Sequence, residues 1–148
     1  MGHYTRLYFQ LPAYFPISNP CSSANRIFFT ALAQGLYNAS DSGNTAITTK
    51  SVWIQALTIA RDKLYTYTRA RPPSRTLVDP LSAFVDAIPQ GFDEAVAVAQ
   101  HIADATKDME AKAGRSTYLD AERLRNERVP DPGAWGVGLI LGSLHPKR

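Results

Sequence analysis

Two polar loops that contain arginine lead into helix-start signals, and their residue types could bind a nucleotide. The first loop, "TRARPPSRTLVDP", spans 68–80, and the second, "AGRSTYLDAERLRNERVPDPGA", spans 113–134. Each has an Asp-Pro pair near its end, in which the aspartate can cap a helix and the proline suits the first helical position. A helix start presents free N–H groups and a partial positive charge, and a nearby arginine adds charge-assisted contacts, so such loops can hold a nucleotide.

The same loops allow two simpler interpretations. In the first, Arg69, Arg71 and Arg75 belong to a solvated loop, and Asp131 only caps a helix. In the second, Ser74 is a phosphorylation site beside these arginines. The residue types alone leave all three interpretations open.

Metal and nucleophilic chemistry have little support in the sequence. His3, His101 and His145 lie far apart and no HExxH spacing occurs, so no zinc site is predicted. Cys21 is the single cysteine and has no histidine partner in view, while His101 has the apolar neighbours of a packed or solvent-facing histidine. Neither a GxSxG nucleophile motif nor a GxxxxGK[ST] phosphate loop is present.

Apolar residues at helical spacing predict five helices that position these loops. The first helix runs from Asn25 to Asn38, and the second from a cap at Thr49 or Ser51 to the 68–80 loop. The third helix begins at a cap at Asp79 and is ended by Pro89 and Gly91. The fourth runs from Phe92 through Met109 towards Gly114, and the fifth begins after Asp131. No alternating strand pattern occurs. The predicted fold class is therefore all-α, with antiparallel helices in a bundle or barrel.

The apolar faces of these helices predict the core. The second helix has one face of Val52, Ala56, Leu57, Ala60, Leu64 and Tyr67, and the third has a face of Leu81, Phe84, Val85 and Ile88. In the last helix, apolar surface is supplied by Trp135, Val137, Leu139, Ile140 and Leu144. The first 24 or so residues combine prolines and aromatics without a period, and they are predicted to form an irregular arm.

Composition and charge narrow the class of protein. The 148 residues are 45% hydrophobic and 20% charged, which fits one globular domain. One cysteine excludes an internal disulfide and favours a reducing compartment, so we expect a cytoplasmic protein. The net charge of +3 is dispersed, which tolerates an anionic ligand but does not favour nucleic acid as a partner. No apolar run approaches the ~20 residues of a membrane span, so no membrane association is predicted.

Four segments resemble the DhaL-type nucleotide-binding domain of dihydroxyacetone (glycerone) kinases. "GRSTYLDAERL…DPGA" is similar to a signature near the end of that domain, and "ALTIARDKLYTYTRARPPSRTLVDPLSAFVDAI" to the eukaryotic segment that ends in Arg-Thr, an apolar residue and Asp. "AVAVAQHIADATKDMEAKAGR" resembles the helix between them, and "IFFTALAQGL" the helix after the family's phosphate-side loop. The similarity runs from about Ile27 to the end. It implies a partial DhaL-type ATP-binding helical domain over 26–148, preceded by a leader over 1–25 without family resemblance.

The resemblance implies an all-helical barrel that binds MgATP at one end and transfers its γ-phosphoryl group to dihydroxyacetone, in glycerol catabolism. The ATP-binding positions that it implies are Thr68, Thr76, Leu77, Arg115, Asp131, Pro132 and Gly133. Thr68 stands where many relatives have glycine. For Arg115 the resemblance leaves two roles open, approaching the phosphates or bracing the loop.

The departures from the family pattern bear on activity. Family members bind two magnesium ions through three aspartates of a "D….GDGDCG" loop, and this sequence has no such loop; it also has "SNPCSSAN" where the family has the phosphate-binding "GGTSGA". No catalytic residue or metal ligand is therefore assigned, and the chain alone is expected to be inactive because metal ions carry much of phosphoryl transfer. The alternative is a non-catalytic helical module that binds nucleotide, or pairs with a glycerone-kinase subunit or with itself through exposed helix faces.

Overall fold

The computed structural model describes residues 20–41, 49–118, 122 and 126–144. Its helices include α1 (Pro20–Asp41), α2 (Lys50–Tyr67), α3 (Val78–Ala87), α4 (Phe92–Ala105) and α5 (Pro132–Ser143), with 3-10 turns at Thr106–Asp108 and Arg115–Tyr118. Residues 122, 126 and 127 are also helical. Within these residues there is no β-strand, which confirms the all-α prediction. Most of the predicted leader lies outside the described residues.

The first helix is longer than predicted at both ends. It begins at Pro20 rather than Asn25 and ends at Asp41 rather than Asn38, so the predicted irregular arm is wrong for its last residues. Proline is tolerated in the first turn of a helix, where the backbone N–H has no intrahelical partner. Apolar periodicity reports only the part of a helix that packs, so it underestimates a helix whose ends lie beyond its neighbours.

α2 begins directly after Thr49, as predicted, but without the expected cap. The Thr49 hydroxyl forms a hydrogen bond of 2.8 Å with the Ser51 hydroxyl instead of accepting a backbone N–H. At the other end of the helix, Tyr67 is 63% exposed and does not belong to the core-facing stripe. Its ring instead lies 5.5 Å from the Lys63 ammonium, at the last turn of α2.

α4 is shorter than predicted because Thr106 ends it. The Thr106 hydroxyl donates to the Ala103 carbonyl at 2.6 Å and accepts the backbone N–H of Asp131 at 2.9 Å. The side chain is fully buried, and a single 3-10 turn follows it. A helix boundary set by a residue 25 positions further along the chain has no local sequence signal, which explains why the periodicity extended the helix towards Gly114.

Consecutive helices pack as antiparallel neighbours. α1 packs on α2, α3 on α4, and α5 on both α4 and α3. Gly35, late in α1, faces Ala56, early in α2, so closely that a Cβ on the glycine would lie 3.3 Å from the Ala56 Cβ. Gly138 of α5 likewise faces Ala103 of α4, with 3.2 Å for the equivalent contact. Small residues therefore allow the close approach of α1 to α2 and of α4 to α5.

Helices α1 to α5 all contribute to the core, and α1 does so through Phe28. The predicted face of α3 is buried in full, and the edge-to-face rings of Phe84 and Phe92 are 5.9 Å apart. The most buried apolar side chains include Phe28, Leu57, Ala60, Leu64, Leu81, Val85, Ala95, Val96, Ala99, Val137 and Leu141.

α5 exposes much of its apolar surface. Val137 and Leu141 are buried, but Trp135, Leu139, Ile140 and Leu144 are 42–58% exposed and form what we name the outer face of α5. The prediction that this helix supplies apolar surface holds, but packing uses only one side of it. Among the described helices, none is long and apolar enough to cross a membrane.

Candidate functional site

The loop between α2 and α3 (68–77) is folded around a buried carboxylate. Asp79 was predicted to cap α3, but that helix begins at Val78 with Leu77 as its N-cap residue. The Asp79 carboxylate instead accepts the backbone N–H of Ser74 at 2.9 Å and that of Thr76 at 2.7 Å. It is 1% exposed. The Thr-x-x-Asp spacing is close to a capping box, and this signal could have identified the arrangement from the sequence.

Arg75 lies between the two amides that Asp79 binds, and the structure buries it. Its backbone has φ 58°, a left-handed conformation that costs a non-glycine residue about 1–3 kcal/mol. Its side chain is 3% exposed, so the interpretation of this residue as part of a solvated loop is wrong. The guanidinium donates to the Met109 carbonyl at 3.2 Å and to the Val129 carbonyl at 2.8 Å.

The other two arginines of the loop remain exposed. Arg71 donates hydrogen bonds to the carbonyls of Tyr65, Thr68 and Ala70, at and just beyond the C-terminal end of α2. Its guanidinium lies 4.0 Å from the Tyr65 ring centroid. Arg69 is exposed and fits the solvated-loop interpretation. The phosphorylation interpretation finds no support, because Ser74 is 2% exposed and its hydroxyl faces the Asp79 carboxylate.

Asp131 starts α5 as the sequence predicts. Its carboxylate accepts the N–H of Ala134 at 2.9 Å, and Pro132 is the first helical residue. The N–H of Gly133 has no hydrogen-bond partner in the part of the chain that the structure describes. The start of α5 therefore keeps one N–H group available for an anionic ligand.

A second arginine holds the segment that precedes α5. Arg128 also has a left-handed backbone, with φ 46°, and its guanidinium donates to both oxygens of Asp108 at 3.0 Å. Both side chains are more than half exposed, so solvent screens this pair. The more protected contacts of this segment are two part-buried hydrogen bonds, from Arg75 to the Val129 carbonyl and from the Asp131 N–H to the Thr106 hydroxyl.

The structure brings most of the predicted site residues to one end of the bundle. Thr76 packs beside Gly114, since a Cβ on that glycine would lie 3.4 Å from the Thr76 Cγ2, and Gly114 directly precedes Arg115. The backbone of Arg115 begins a 3-10 turn, and its side chain lies outside the described residues. The N–H of Lys112 donates to the Ser74 carbonyl at 3.2 Å. The 113–134 loop therefore contacts the 68–77 loop.

Two predicted site residues, Leu77 and Thr68, are placed differently from the others. The Leu77 side chain is 6% exposed and belongs to the core, so only its backbone can serve a ligand. Thr68 lies at the end of α2, where its hydroxyl accepts the N–H of Ala70. Within the described residues, no hydrogen bond joins Thr68 to the other predicted site residues.

The chemistry of this end of the bundle suits an anion. Within the described residues, Arg75 forms no ion pair with a carboxylate, and its guanidinium donates to two backbone carbonyls. The same part of the chain contains no cluster of three or more His, Cys, Asp or Glu residues that could hold a metal ion. This end of the bundle therefore combines a helix start that has a free N–H with a buried cation.

Comparison with known proteins shows the family. The DAK2 domain family matches residues 25–145. The chain is 41% identical to Dihydroxyacetone kinase 2 of Saccharomyces cerevisiae over 121 residues, which are 78% of this chain and 20% of that protein. It is 33% identical to the human Triokinase/FMN cyclase over 128 residues, 80% of this chain and 20% of that protein.

These relatives are much longer proteins. The chain spans about a fifth of the length of the curated relatives it matches, and the same holds for Dihydroxyacetone kinase of Komagataella pastoris, which is 34% identical over 124 residues. No solved structure matches the chain. The relation to dihydroxyacetone kinases is confirmed, and the chain belongs to the DAK2 domain family.

Proposed function

We propose that this chain is the ATP-binding part of a dihydroxyacetone-kinase-type phosphotransferase. The single observation that carries the proposal is the meeting of the 74–77, 109–115 and 128–134 segments around buried Arg75. Three segments that are far apart in sequence thereby place a helix start and a buried cation at one end of a helical bundle. Such a combination attracts phosphate groups.

The proposed ATP contacts follow from where these residues lie. The free N–H of Gly133 at the start of α5 would meet a phosphate oxygen, with Asp131 and Pro132 shaping that start. Thr76 and the backbone of Leu77 would form the opposite side. Arg115 follows Gly114 beside Thr76, and from there it would either approach the phosphates or brace the loop.

The phosphoryl-transfer step itself is not assigned to this chain. The described residues do not fit a magnesium site, because they bring no three carboxylates or imidazoles together. We therefore derive no step through a metal and propose that the chain binds nucleotide without transferring phosphate on its own. In the whole enzyme the acceptor would be dihydroxyacetone, as the names of the relatives suggest.

The test is a thermal melt of the purified chain with and without ATP, repeated in magnesium and in EDTA. ATP at 100 times its dissociation constant should stabilise the folded state by about 2.7 kcal/mol. Gly133→Asp should abolish this shift, since its carboxylate would repel the phosphates at the helix start. The same charge should leave unliganded stability unchanged or slightly higher, because it is favourable beside the helix dipole.

Gly133→Asn is the matched control, because it adds a side chain of the same shape without the charge. It should retain most of the ATP shift. Equal loss in both variants would point to steric blocking rather than to an anion site, and no shift in the wild-type chain would refute the proposal.

The alternative of a subunit-interaction module is favoured by one observation, the exposed apolar outer face of α5. It predicts the opposite result in the same samples, with no ATP shift but a sedimentation coefficient that rises with protein concentration.

A further inference from the structure

The backbone at Arg75 is arranged so that its side chain leaves the loop. Asp79 binds the amides on either side of Arg75, Ser74 N–H at 2.9 Å and Thr76 N–H at 2.7 Å. With both neighbours held, Arg75 takes the left-handed conformation, which non-glycine residues seldom adopt. Such strain persists only where surrounding contacts maintain it, and it is concentrated at functional sites.

The contacts that maintain it reach across the sequence. Arg75 donates to carbonyls 34 and 54 residues away, those of Met109 and Val129. Val129 lies two residues before the Asp131 cap of α5, and Met109 directly follows the 3-10 turn after α4. The Arg75 side chain therefore joins the α2–α3 loop to two segments, one around Met109 and one around Val129.

Burying the Arg75 guanidinium without a partner for each of its donors costs stability. The Nε of Arg75 is buried and has no hydrogen-bond partner within the described residues. Buried donors without a partner are rare in native proteins, and each calls for an explanation. Arginine suits this place because its planar fork presents donors in two directions, whereas the lysine ammonium is a point charge on a flexible chain.

We infer that Arg75 is a positioning residue that sets the distance between Thr76 and the start of α5. Without its two carbonyl contacts, the segment that leads into Asp131 loses its hydrogen bond to the α2–α3 loop. The consequence for ATP rests on the proposed function. The positioning itself does not, and it can be measured in the free chain.

The experiment compares Arg75→Met with Arg69→Met by amide hydrogen exchange. The two variants lose the same charge from the same loop, but Arg69 is exposed. In Arg75→Met we expect at least tenfold faster exchange at the Asp131 and Ala134 amides, with α2 amides such as that of Ala60 unchanged. Arg69→Met should leave all of these rates unchanged. A uniform rise across all helices in Arg75→Met would show a merely structural role and overturn the inference, and so would unchanged rates.

Nucleotide binding supplies the second measurement. The ATP dissociation constant of Arg75→Met should rise at least tenfold, measured where the variant is folded, while that of Arg69→Met stays within twofold. Local loosening with unaltered ATP affinity would overturn the role of Arg75 in the site.

Two further outcomes are kept distinct. If the wild-type chain binds no ATP, the proposed function fails, and the exchange rates alone decide whether Arg75 positions the segment. If Arg75→Met does not fold, Arg75→Lys replaces it, since it keeps the cation and the reach to one carbonyl. Exchange at Asp131 in Arg75→Lys should then be faster than in the wild-type chain, and wild-type rates in Arg75→Lys would refute the need for the arginine fork.

Discussion

Replacing Thr106 with valine should test whether one buried hydroxyl joins the end of α4 to the start of α5. Valine keeps the shape of threonine but removes the hydroxyl that donates to the Ala103 carbonyl and accepts the Asp131 N–H. The contact with the Ala103 carbonyl is buried and that with the Asp131 N–H is part-buried, and a buried polar group that loses its partner costs about 1–3 kcal/mol. We therefore expect Thr106→Val to lower the free energy of unfolding by about 2 kcal/mol.

Thr66→Val is the matched control for this substitution. The Thr66 hydroxyl also donates to the carbonyl three residues earlier, that of Lys63, but this contact is exposed and involves no second segment. Exposed substitutions of this kind usually change stability by about 0.5 kcal/mol or less.

Urea unfolding followed by circular dichroism is the assay. With a slope of about 2 kcal/mol per molar urea, the midpoint of Thr106→Val should fall by about 1 M relative to Thr66→Val. An equal midpoint for the two variants would refute the reasoning, because the buried contact with Asp131 would then contribute nothing.

Two further predictions concern the loop carboxylate and the last helix. Asp79→Asn should lower the free energy of unfolding, measured in urea, by about 2–3 kcal/mol. The amide oxygen can accept only one of the two backbone N–H groups, and the amide nitrogen turns a donor towards the other. The control Asp86→Asn changes an exposed carboxylate and should cost much less. Gly136→Ala should increase the free energy of unfolding by up to about 1 kcal/mol, and so raise the melting temperature, because a Cβ there meets no atom within 4 Å. Gly138→Ala should gain less or lose stability, since its Cβ would lie 3.2 Å from the Ala103 Cβ. Equal gains at both glycines would contradict the close packing of α5 on α4.

Much of the fold could be predicted from the sequence because its signals are local. The stripe of Leu57, Ala60 and Leu64 is buried as its spacing indicates, since residues three and four apart share a helix face. The Asp131 cap followed by Pro132 starts α5 for a similar reason, because both act within the first helical turn. These parts require no knowledge of what lies opposite them.

The candidate site could be predicted only in part. The motifs place Thr76 and Asp131 in two separate loops, and the structure brings those loops to the same end of the bundle. Arg75 was missed because arginine in a polar loop is usually solvated, and nothing near it in sequence indicates the carbonyls that it binds. Asp79 was assigned the role of a helix cap because an Asp-Pro pair is typical of one, although the spacing from Thr76 offered a better signal.

The amino-acid sequence alone accounts for the all-α fold class, the start of α5 and the relation to dihydroxyacetone kinases, since helical period, caps and motifs are carried by residues close together in the chain. Packing accounts for the end of α4 at Thr106, the burial of Arg75 and the exposure of the outer face of α5. Each of these depends on a partner, or on the lack of one among the described residues, that is distant in sequence. A hydrogen bond across 25 or 54 residues exists only after the helices have packed, so no local pattern can encode it.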